Sequence, residues 1–322
     1  MAPYLHNPVM AEACLTGLAV RKGGIYADCT LGGGGHARLI LKALEGTGAL
    51  LGLDRDESAI QAAGGALEKE STGSQGGTRI LLRQANFDSI DRICAEVGIP
   101  ALDGALLDLG VSSHQLDEEE RGFSYQGNAR LDMRMDRGSG MSAYELVNTW
   151  SIPEIGRIIR MYGEERWARR IASFIGNARE TGPITTTGQL ADLIRNAIPA
   201  AARRTGPHPA RRTFQAIRIA VNDELGALER GLEKCLDLLS PEGRICVLTY
   251  HSLEDRIVKK AFIRAEHPCT CPGNIPVCVC GHGEPRIEIL TRKPLLPSGE
   301  EVEGNPRARS AKLRIARKLI YQ

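Results

Sequence analysis

Apolar residues in the first third of the chain follow two alternating spacings. Short apolar runs of the kind that form buried strands lie at 25–28, 48–53, 80–82 and 102–109. Residues spaced like one face of an amphipathic helix lie between them, at 37–44, 57–67 and 90–97. Because strands that alternate with helices are typical of parallel sheets covered on both faces, the pattern predicts an α/β protein with a doubly wound sheet.

This alternation stops after the fourth predicted strand. From about residue 116 to 212 we find no strand pattern, and four helices are predicted instead, at 143–148, 153–162, 164–180 and 187–198. Thr187 is placed to cap the last of these helices, and Pro199 is placed to end it.

The α/β pattern resumes in the last third of the chain. The predicted elements there are a long helix at 214–239, a strand at 244–250, a helix at 253–264 and strands at 287–291 and 311–316. We therefore predict that residues 1–116 and 213–322 form one sheet domain, interrupted by a helical insertion at 117–212.

A glycine-rich turn joins the first predicted strand to the helix that follows it. The strand ends at Asp28, residues 32–35 are all glycine, and His36 follows them. Glycines let the backbone approach a ligand closely, because they carry no Cβ. The second strand ends at Asp54, and an acid about 20 residues beyond such a turn is placed to bind ribose hydroxyls. The turn therefore predicts a site for a nucleoside cofactor.

Two cofactors fit this turn on its residues alone. Gly32, Gly34 and Ala37 match the dinucleotide fingerprint G-x-G-x-x-G/A. S-adenosylmethionine (SAM) uses a similar glycine turn preceded by an acid, and Asp28 stands where it would hold the ammonium of the methionine part. A glycine turn without a ligand is the third reading, and it is disfavoured because four consecutive glycines cost much backbone entropy.

Further polar residues follow the third and fourth strands. Asp108 ends the fourth strand, and Ser112 and Gln115 come shortly after it. Because the carboxyl edge of an open α/β sheet lines the ligand crevice, we expect these residues to face the same cleft as the glycine turn. Phe87 follows the third strand, where it either packs on an adenine or belongs to the core.

Composition and charge restrict the partners and the cellular location that we expect for this protein. The formal net charge is only +2, so no overall basic field indicates a nucleic-acid partner. No apolar run is long enough to cross a membrane, and residues 1–6 lack the pattern of an export signal. The nine cysteines are an odd number, which favours reduced thiols. We therefore expect a cytoplasmic protein without a membrane partner.

Basic side chains nevertheless cluster at two places. One cluster closes the insertion, and the other lies in the tail: Arg203, Arg204, His208, Arg211 and Arg212; Arg307, Arg309, Lys312 and Arg314. Arginine binds phosphate bidentately, so both clusters predict RNA contacts. The alternative is a solvated basic surface balanced by nearby acids.

Four cysteines lie close together before the last two predicted strands: Cys269, Cys271, Cys278 and Cys280. Four thiolates on a short loop suit a tetrahedral zinc ion, although C-x-C spacing is less usual than C-x-x-C. Free thiols and a redox disulfide remain alternatives. The other five cysteines stand in apolar runs and are predicted to be core residues.

Seven motifs stand in order along the chain. They are DLGVSSHQLD (108–117), EERGFS (119–124), LDMRMD (131–136), YGEER (162–166), RTFQAIR (212–218), HSLEDR (251–256) and NPRARS (305–310). Together they closely resemble the bacterial 16S ribosomal RNA cytosine-N4 methyltransferase family, over almost the whole chain. The resemblance implies a Rossmann-like class I SAM methyltransferase sheet, with a helical insertion after the fourth strand that recognises the substrate.

The resemblance also implies a reaction and a set of contacts. The reaction is methyl transfer from SAM to the exocyclic N4 of a cytidine in the decoding region of 16S rRNA, within the small ribosomal subunit. The implied SAM contacts are Gly34, Gly35, His36, Asp54, Phe87, Asp108 and Gln115. The chain departs from the family's usual pattern at His114, at Tyr250 and at residues 127–130, where proline, phenylalanine and an Asp-Gly-Pro-like turn are usual.

Several residues are candidates for the group that accepts a hydrogen bond from the cytosine amino group. That nitrogen is a poor nucleophile, because its lone pair is delocalised into the ring, so positioning must supply much of the rate. The usual amino-methyltransferase motif Asp/Asn-Pro-Pro-Tyr/Phe is absent. The candidates are Asp108, Ser112 or Ser113, and His251. His251 has an alternative structural role, in which it caps the helix at 253–264 or holds Asp255.

Two other functions compete with this one. A SAM-binding factor for small-subunit assembly would dock on the subunit and methylate it only secondarily. A SAM-dependent methyltransferase for proteins or small molecules is disfavoured by the basic clusters and the large insertion.

Overall fold

A computed structural model describes residues 8–71, 77–204, 206, 208–269, 271, 279–281 and 283–320. The chain forms two compact units, one from residues 1–110 and 225–322 and the other from residues 111–224. We call them the sheet unit and the helical unit.

The described residues of the sheet unit form one seven-stranded sheet. Its strands are β1 Ile25–Asp28, β2 Ala49–Asp54, β3 Arg79–Gln84, β4 Leu102–Asp108, β5 Leu239–Thr249, β6 Ile287–Ile289 and β7 Lys312–Lys318. Their order is β3-β2-β1-β4-β5-β7-β6, and β7 runs antiparallel to both of its neighbours. The strand order reverses between β1 and β4, which is where ligands bind in open α/β sheets.

Thirteen α-helices lie in the described part of the chain. They are α1 Ala11–Leu18, α2 Gly35–Leu44, α3 Glu57–Ser71, α4 Ile90–Glu96, α5 Ser113–Asp117, α6 Ala143–Thr149, α7 Ile152–Tyr162, α8 Ala168–Thr181, α9 Thr187–Ala197, α10 Arg211–Asn222, α11 Glu224–Leu238, α12 Ser252–Glu266 and α13 Gly299–Gly304. None of them has the length and apolar character needed to cross a membrane.

The sheet is buried on both faces. Successive residues of a strand point to opposite faces, so Leu50 and Leu51 of β2 belong to two different apolar clusters. The cluster around Leu50 also contains residues of α1 and α2, whereas the cluster around Leu51 contains residues of α4, α11 and α12. This double burial explains the nearly continuous apolar runs of the strands. The five cysteines predicted to be core residues are buried, which confirms that prediction.

The helical unit has an apolar core of its own, formed by residues of α6 to α10. The caps of its helices are specified locally, because Ser142, Ser151 and Thr186 each form a capping box at the start of α6, α7 and α9. The prediction that Thr187 caps the last of these helices is therefore wrong by one residue. Thr187 is instead buried, and its Oγ1 accepts a hydrogen bond from the backbone N–H of Ala129 at 3.1 Å.

The largest difference from the predicted elements concerns the long helix at 214–239. The chain leaves helical geometry at Asp223, whose φ of 48° is left-handed and caps α10. The predicted helix is therefore two helices, α10 and α11, and α10 belongs to the helical unit. For this reason the unit ends at residue 224 rather than at the predicted 212, and it begins at residue 111 rather than at 117. Its role in recognising the substrate stays a prediction.

Candidate functional site

Three acids end neighbouring strands at one edge of the sheet. Asp28, Asp54 and Asp108 are the last residues of β1, β2 and β4, which run parallel to one another. None of the three carboxylates pairs with a lysine or arginine among the residues that the structure describes; the imidazole of His36 lies beside Asp108, with its Nδ1 3.5 Å from Oδ2. Because buried charges are normally paired, this edge is an anionic site suited to a cationic ligand.

Asp54 also organises the glycine turn. Its Oδ2 accepts the backbone N–H of Gly32 at 2.8 Å, and its Oδ1 accepts that of Asp56 at 2.9 Å. Burial raises the pKa of the Asp54 carboxyl, while these hydrogen bonds oppose the rise. A carboxylate held by its own loop is preorganised to accept further hydrogen bonds, such as those from ribose hydroxyls.

The turn leaves room above one of its glycines. Gly32 and Gly34 have φ values of 48° and 78°, which favour glycine on backbone grounds alone. Gly33 has no such φ, and a Cβ built there would meet nothing within 4 Å. The fold itself therefore does not require glycine at this position. The open space beside the turn lets a ligand approach the backbone at Gly33.

Asp28 is fully buried beside the glycine turn. Its Oδ1 accepts the backbone N–H of Thr30 at 3.2 Å, and its side chain is 1% exposed. Burial, with smaller contributions from the charges of Asp108 and Asp54, raises the pKa of Asp28 to about 6, and His36 and the backbone N–H of Thr30 oppose the rise. A cation placed here would stabilise the buried carboxylate, so Asp28 suits the ammonium of SAM.

We expect SAM to bind with release of a proton from Asp28 near pH 6. In the ligand-free protein the group is half protonated at about pH 6, and the bound cation lowers its pKa, so affinity falls as the pH drops through this value. The sign for stability is opposite: because the folded-state pKa lies above 3.8, Asp28 contributes more stability to the ligand-free protein as the pH falls from about 6 towards 3.8.

Calorimetry in two buffers of different ionisation enthalpy measures this release. Asp28→Asn should abolish the Asp28 contribution, and equal proton release by wild type and variant would contradict the assignment.

Asp108 is engaged through both of its oxygens. The hydroxyl of Tyr250 donates to Oδ1 at 2.6 Å, and Nδ1 of His36 lies 3.5 Å from Oδ2. His36 is further fixed by Nε2, which lies 3.0 Å from the carbonyl of Val9. Burial raises the pKa of Asp108, and His36 and Tyr250 lower it. The sequence marked Tyr250 only as a departure from the family pattern. Its bond to Asp108 spans 142 residues, so no local signal could have shown it.

His251 caps α12. Its Nδ1 accepts the backbone N–H of Glu254 at 3.4 Å, and its Nε2 lies 3.0 Å from Oε1 of the same residue. In return, Oε2 of Glu254 accepts the backbone N–H of His251 at 3.2 Å. Asp255 pairs instead with Arg314 and Lys312. The structure therefore shows the capping role of His251, and a catalytic role stays a prediction.

Phe87 lies in the core of the sheet unit. It is 8% exposed and begins a 3₁₀ turn that is capped by Asn86. It packs directly on Gly231 of α11, where an added Cβ would lie 2.4 Å from the ring. Of the two sequence interpretations, the structure shows the core one. Contact with adenine would have to use the remaining exposed part of the ring.

Among the predicted cofactor and catalytic residues, Ser112 and Gln115 belong to the helical unit. Oε1 of Gln115 accepts the backbone N–H of Ser112 at 3.1 Å, and Oγ of Ser112 accepts that of Gln115 at 3.2 Å. This reciprocal pair fixes the start of α5, and Gln115 is buried. The side chains of Ser113 and His114 lie outside the described atoms.

The basic side chains predicted to bind RNA differ in their exposure to solvent and in their ion pairs. In the helical unit Arg203, Arg204, Arg211 and Arg212 are all exposed, and none pairs with a carboxylate among the described residues. In the tail only Arg309 is exposed, whereas Arg307 and Lys312 are half-buried. Arg314 is 6% exposed, and its Nε donates to Asp255 at 2.7 Å, so this residue points into the fold.

An aromatic pair in the helical unit was missed by the sequence analysis. The rings of Tyr125 and His208 stack with centroids 4.6 Å apart and planes inclined by 7°. His208 is exposed and precedes Arg211 by three residues. Stacked aromatic rings beside arginines are a common platform for unpaired RNA bases.

Comparison with known proteins shows the family to which the chain belongs. The model of the MraW methylase family matches residues 3–319. A relative from Symbiobacterium thermophilum is 58% identical and covers 98% of this chain and 97% of its own length. A relative from Geobacter sulfurreducens is 54% identical, with coverage of 98% and 99%. Both are named ribosomal RNA small subunit methyltransferase H.

Solved structures are more distant. An rRNA methylase from Streptococcus thermophilus matches with a TM-score of 0.43 at 10% identity, covering 97% of this chain and 95% of that one. A likeness of this size adds nothing to the assignment, which depends on the family match and on the sheet order. The strand order reverses between β1 and β4, beside a glycine turn that is lined with acids. This chain is a SAM-dependent methyltransferase that belongs to the MraW methylase family.

Proposed function

We propose that this enzyme methylates the exocyclic N4 of a cytidine in the decoding region of 16S rRNA, within the small ribosomal subunit in the cytoplasm. The observation that carries the proposal is the 58% identity, over 98% of the chain, to a protein named ribosomal RNA small subunit methyltransferase H. The N4 position and the decoding region rest on the seven sequence motifs.

The sheet unit supplies the residues that would hold the cofactor. Asp54 would accept the ribose hydroxyls, and Asp28 would face the ammonium group. When bound, SAM supplies an electrophilic methyl group on a cationic sulfur, whose leaving needs no acid. The role of the protein is therefore to position the amino nitrogen in line with that methyl group.

Asp108 is the acceptor that we favour for the cytosine N–H. It ends β4 beside the switch point, and Tyr250 and His36 fix its orientation. A carboxylate with a fixed orientation can hold the amino group so that its nitrogen faces the methyl. Ser112 and His251 are less suited, because each has fewer acceptor lone pairs and uses one of them to cap a helix, whereas the carboxylate of Asp108 has about four and keeps some beyond Tyr250 and His36.

The helical unit supplies the residues that would bind RNA. Four exposed arginines without carboxylate partners among the described residues can bind phosphates, and the Tyr125–His208 pair can stack on a base. Phosphate contacts give affinity without reading sequence, so the choice of cytidine must come from the shape of the rRNA site and from contacts to the base itself.

One assay tests the proposal. Purified enzyme and labelled SAM are incubated with small subunits that lack the modification, or with naked 16S rRNA, and the labelled nucleoside is identified by mass spectrometry. We expect N4-methylcytidine in the decoding region. Label on another atom of cytosine, or in protein, would contradict the reaction. Tight subunit binding without methyl transfer would favour the assembly-factor alternative.

A further inference from the structure

Three cysteine sulfurs meet in the segment between α12 and β6. The Sγ atoms of Cys269, Cys271 and Cys280 all lie within 4.8 Å of one another. Those of Cys269 and Cys280 are 3.8 Å apart, well beyond the roughly 2.05 Å of a disulfide bond. Cys278, the fourth cysteine of the sequence motif, lies outside the described residues.

This spacing matches a tetrahedral metal site. Zinc–sulfur bonds of about 2.3 Å at tetrahedral angles place ligand sulfurs about 3.8 Å apart. The separation of Cys269 and Cys280 therefore equals one edge of such a tetrahedron, and Cys271 lies close enough to supply a third corner. The backbone N–H of Val279 donates to Sγ of Cys271 at 3.3 Å, a contact that stabilises a thiolate.

The neighbouring histidine does not belong to this group. His267 is exposed, and its Nε2 lies 3.2 Å from Oε2 of Glu266. The group of converging donors contains the three sulfurs and no described histidine. Soft, all-sulfur donor sets at tetrahedral spacing favour zinc over hard cations such as magnesium or calcium.

We propose that Cys269, Cys271 and Cys280 bind a structural zinc ion as thiolates. Zinc sites built from thiolates alone are structural ones, so the ion stabilises the segment and takes no part in chemistry.

The topology places this site away from the cofactor residues. β5 and β6 run parallel, because each is antiparallel to β7, so the segment that enters β6 lies at the amino edge of the sheet. α12 starts at the carboxyl edge, after β5, and its 15 residues extend about 22 Å towards the opposite edge. The acids Asp28, Asp54 and Asp108 all stand at the carboxyl edge.

Backbone hydrogen bonds anchor both ends of the segment to the fold. The backbone N–H of His267 donates to Ile263, and that of Arg286 donates to Ala265, both at 2.8 Å. The guanidinium of Arg286 also binds Asp237 and Glu233 of α11. Between these anchors the described residues add nothing to the three apolar clusters, so a metal ion would supply the stability that a core cannot.

Metal analysis of the full-length enzyme, purified without chelator and without a metal-affinity step, tests the proposal. We expect about one zinc ion per chain. Cys269→Ser and Cys280→Ser should each lose most of the zinc, whereas the matched control His267→Ala should retain it. Cobalt in place of zinc should give the visible absorption of a tetrahedral thiolate site, and this readout needs no variant.

If the zinc ion is structural, its loss should lower stability without lowering the methyl-transfer rate. The serine variants should unfold at a lower temperature, whereas the methyl-transfer rate per folded molecule should stay within about twofold of wild type. Zinc below about 0.2 ions per chain after reconstitution would overturn the proposal. So would a Cys269–Cys280 disulfide in the freshly purified protein, or serine variants that bind zinc as tightly as wild type. Each of these results leaves the proposed rRNA reaction untouched.

Discussion

Replacing Asp54 with alanine should weaken SAM binding by at least about 100-fold, because two charge-assisted hydrogen bonds to ribose contribute roughly 1.5–3 kcal/mol each. The carboxylate also accepts the backbone N–H groups of Gly32 and Asp56, so the variant loses the order of the glycine turn as well. Calorimetric titration with SAM measures the effect. Asp54→Asn should lose less, because it retains one acceptor oxygen.

A control separates binding from general destabilisation. Asp103 is also partly buried and accepts a backbone N–H, that of Ile25, but it stands near the start of β4, at the other edge of the sheet. Asp103→Ala should lower the melting temperature while SAM affinity stays near that of wild type. An Asp54→Ala protein that is folded and binds SAM normally would remove Asp54 from the site.

The double charge reversal Arg211→Glu with Arg212→Glu should weaken binding to the small subunit by at least about 10-fold at moderate salt. Each lost phosphate contact should also reduce the slope of log affinity against log salt by about 0.7 to 0.9. SAM affinity should not change, because neither residue is among the predicted cofactor residues. Filter binding across a salt series measures both effects.

Two matched double variants show whether the weaker binding depends on where the charges lie. Lys259 and Lys260 are exposed on α12, so reversing both changes the net charge equally at a different place. Equal weakening by that pair would show an effect of total charge rather than a docking surface. Reversal of Arg307 and Arg309 tests the tail, where we expect a smaller loss because only Arg309 is exposed.

Much of the fold could be predicted because the strands are buried on both faces and the helices between them are amphipathic. The break at Asp223 could not, because the apolar spacing continues through it without a glycine or proline. Aspartate adopts left-handed backbone more readily than most residues, so one position was enough to end α10. The strand predicted at 311–316, which is β7, continues to Lys318. Its pairing with β5 and β6 outweighs the local loss of alternation between apolar and polar residues.

The candidate site also has a part that the sequence could predict and a part that it could not. Asp28, Asp54 and Asp108 could be found because each is the acid that ends a strand, and parallel topology brings strand ends together. The hydroxyl of Tyr250 on Asp108 and the guanidinium of Arg314 on Asp255 depend on contacts distant in sequence. An arginine in a basic motif therefore looked available for RNA although it is committed to an internal ion pair.

The insertion of the helical unit between β4 and β5 has a consequence for the order in which the protein folds during synthesis. Residues 111–224 are continuous, so this unit can fold as soon as they have left the ribosome. The sheet cannot: β4 lies between β1 and β5 in the finished order, and β5 begins only at Leu239. Throughout the synthesis of residues 109–238, the central strand of the nascent protein is therefore an open edge, exposed to pairing with other chains.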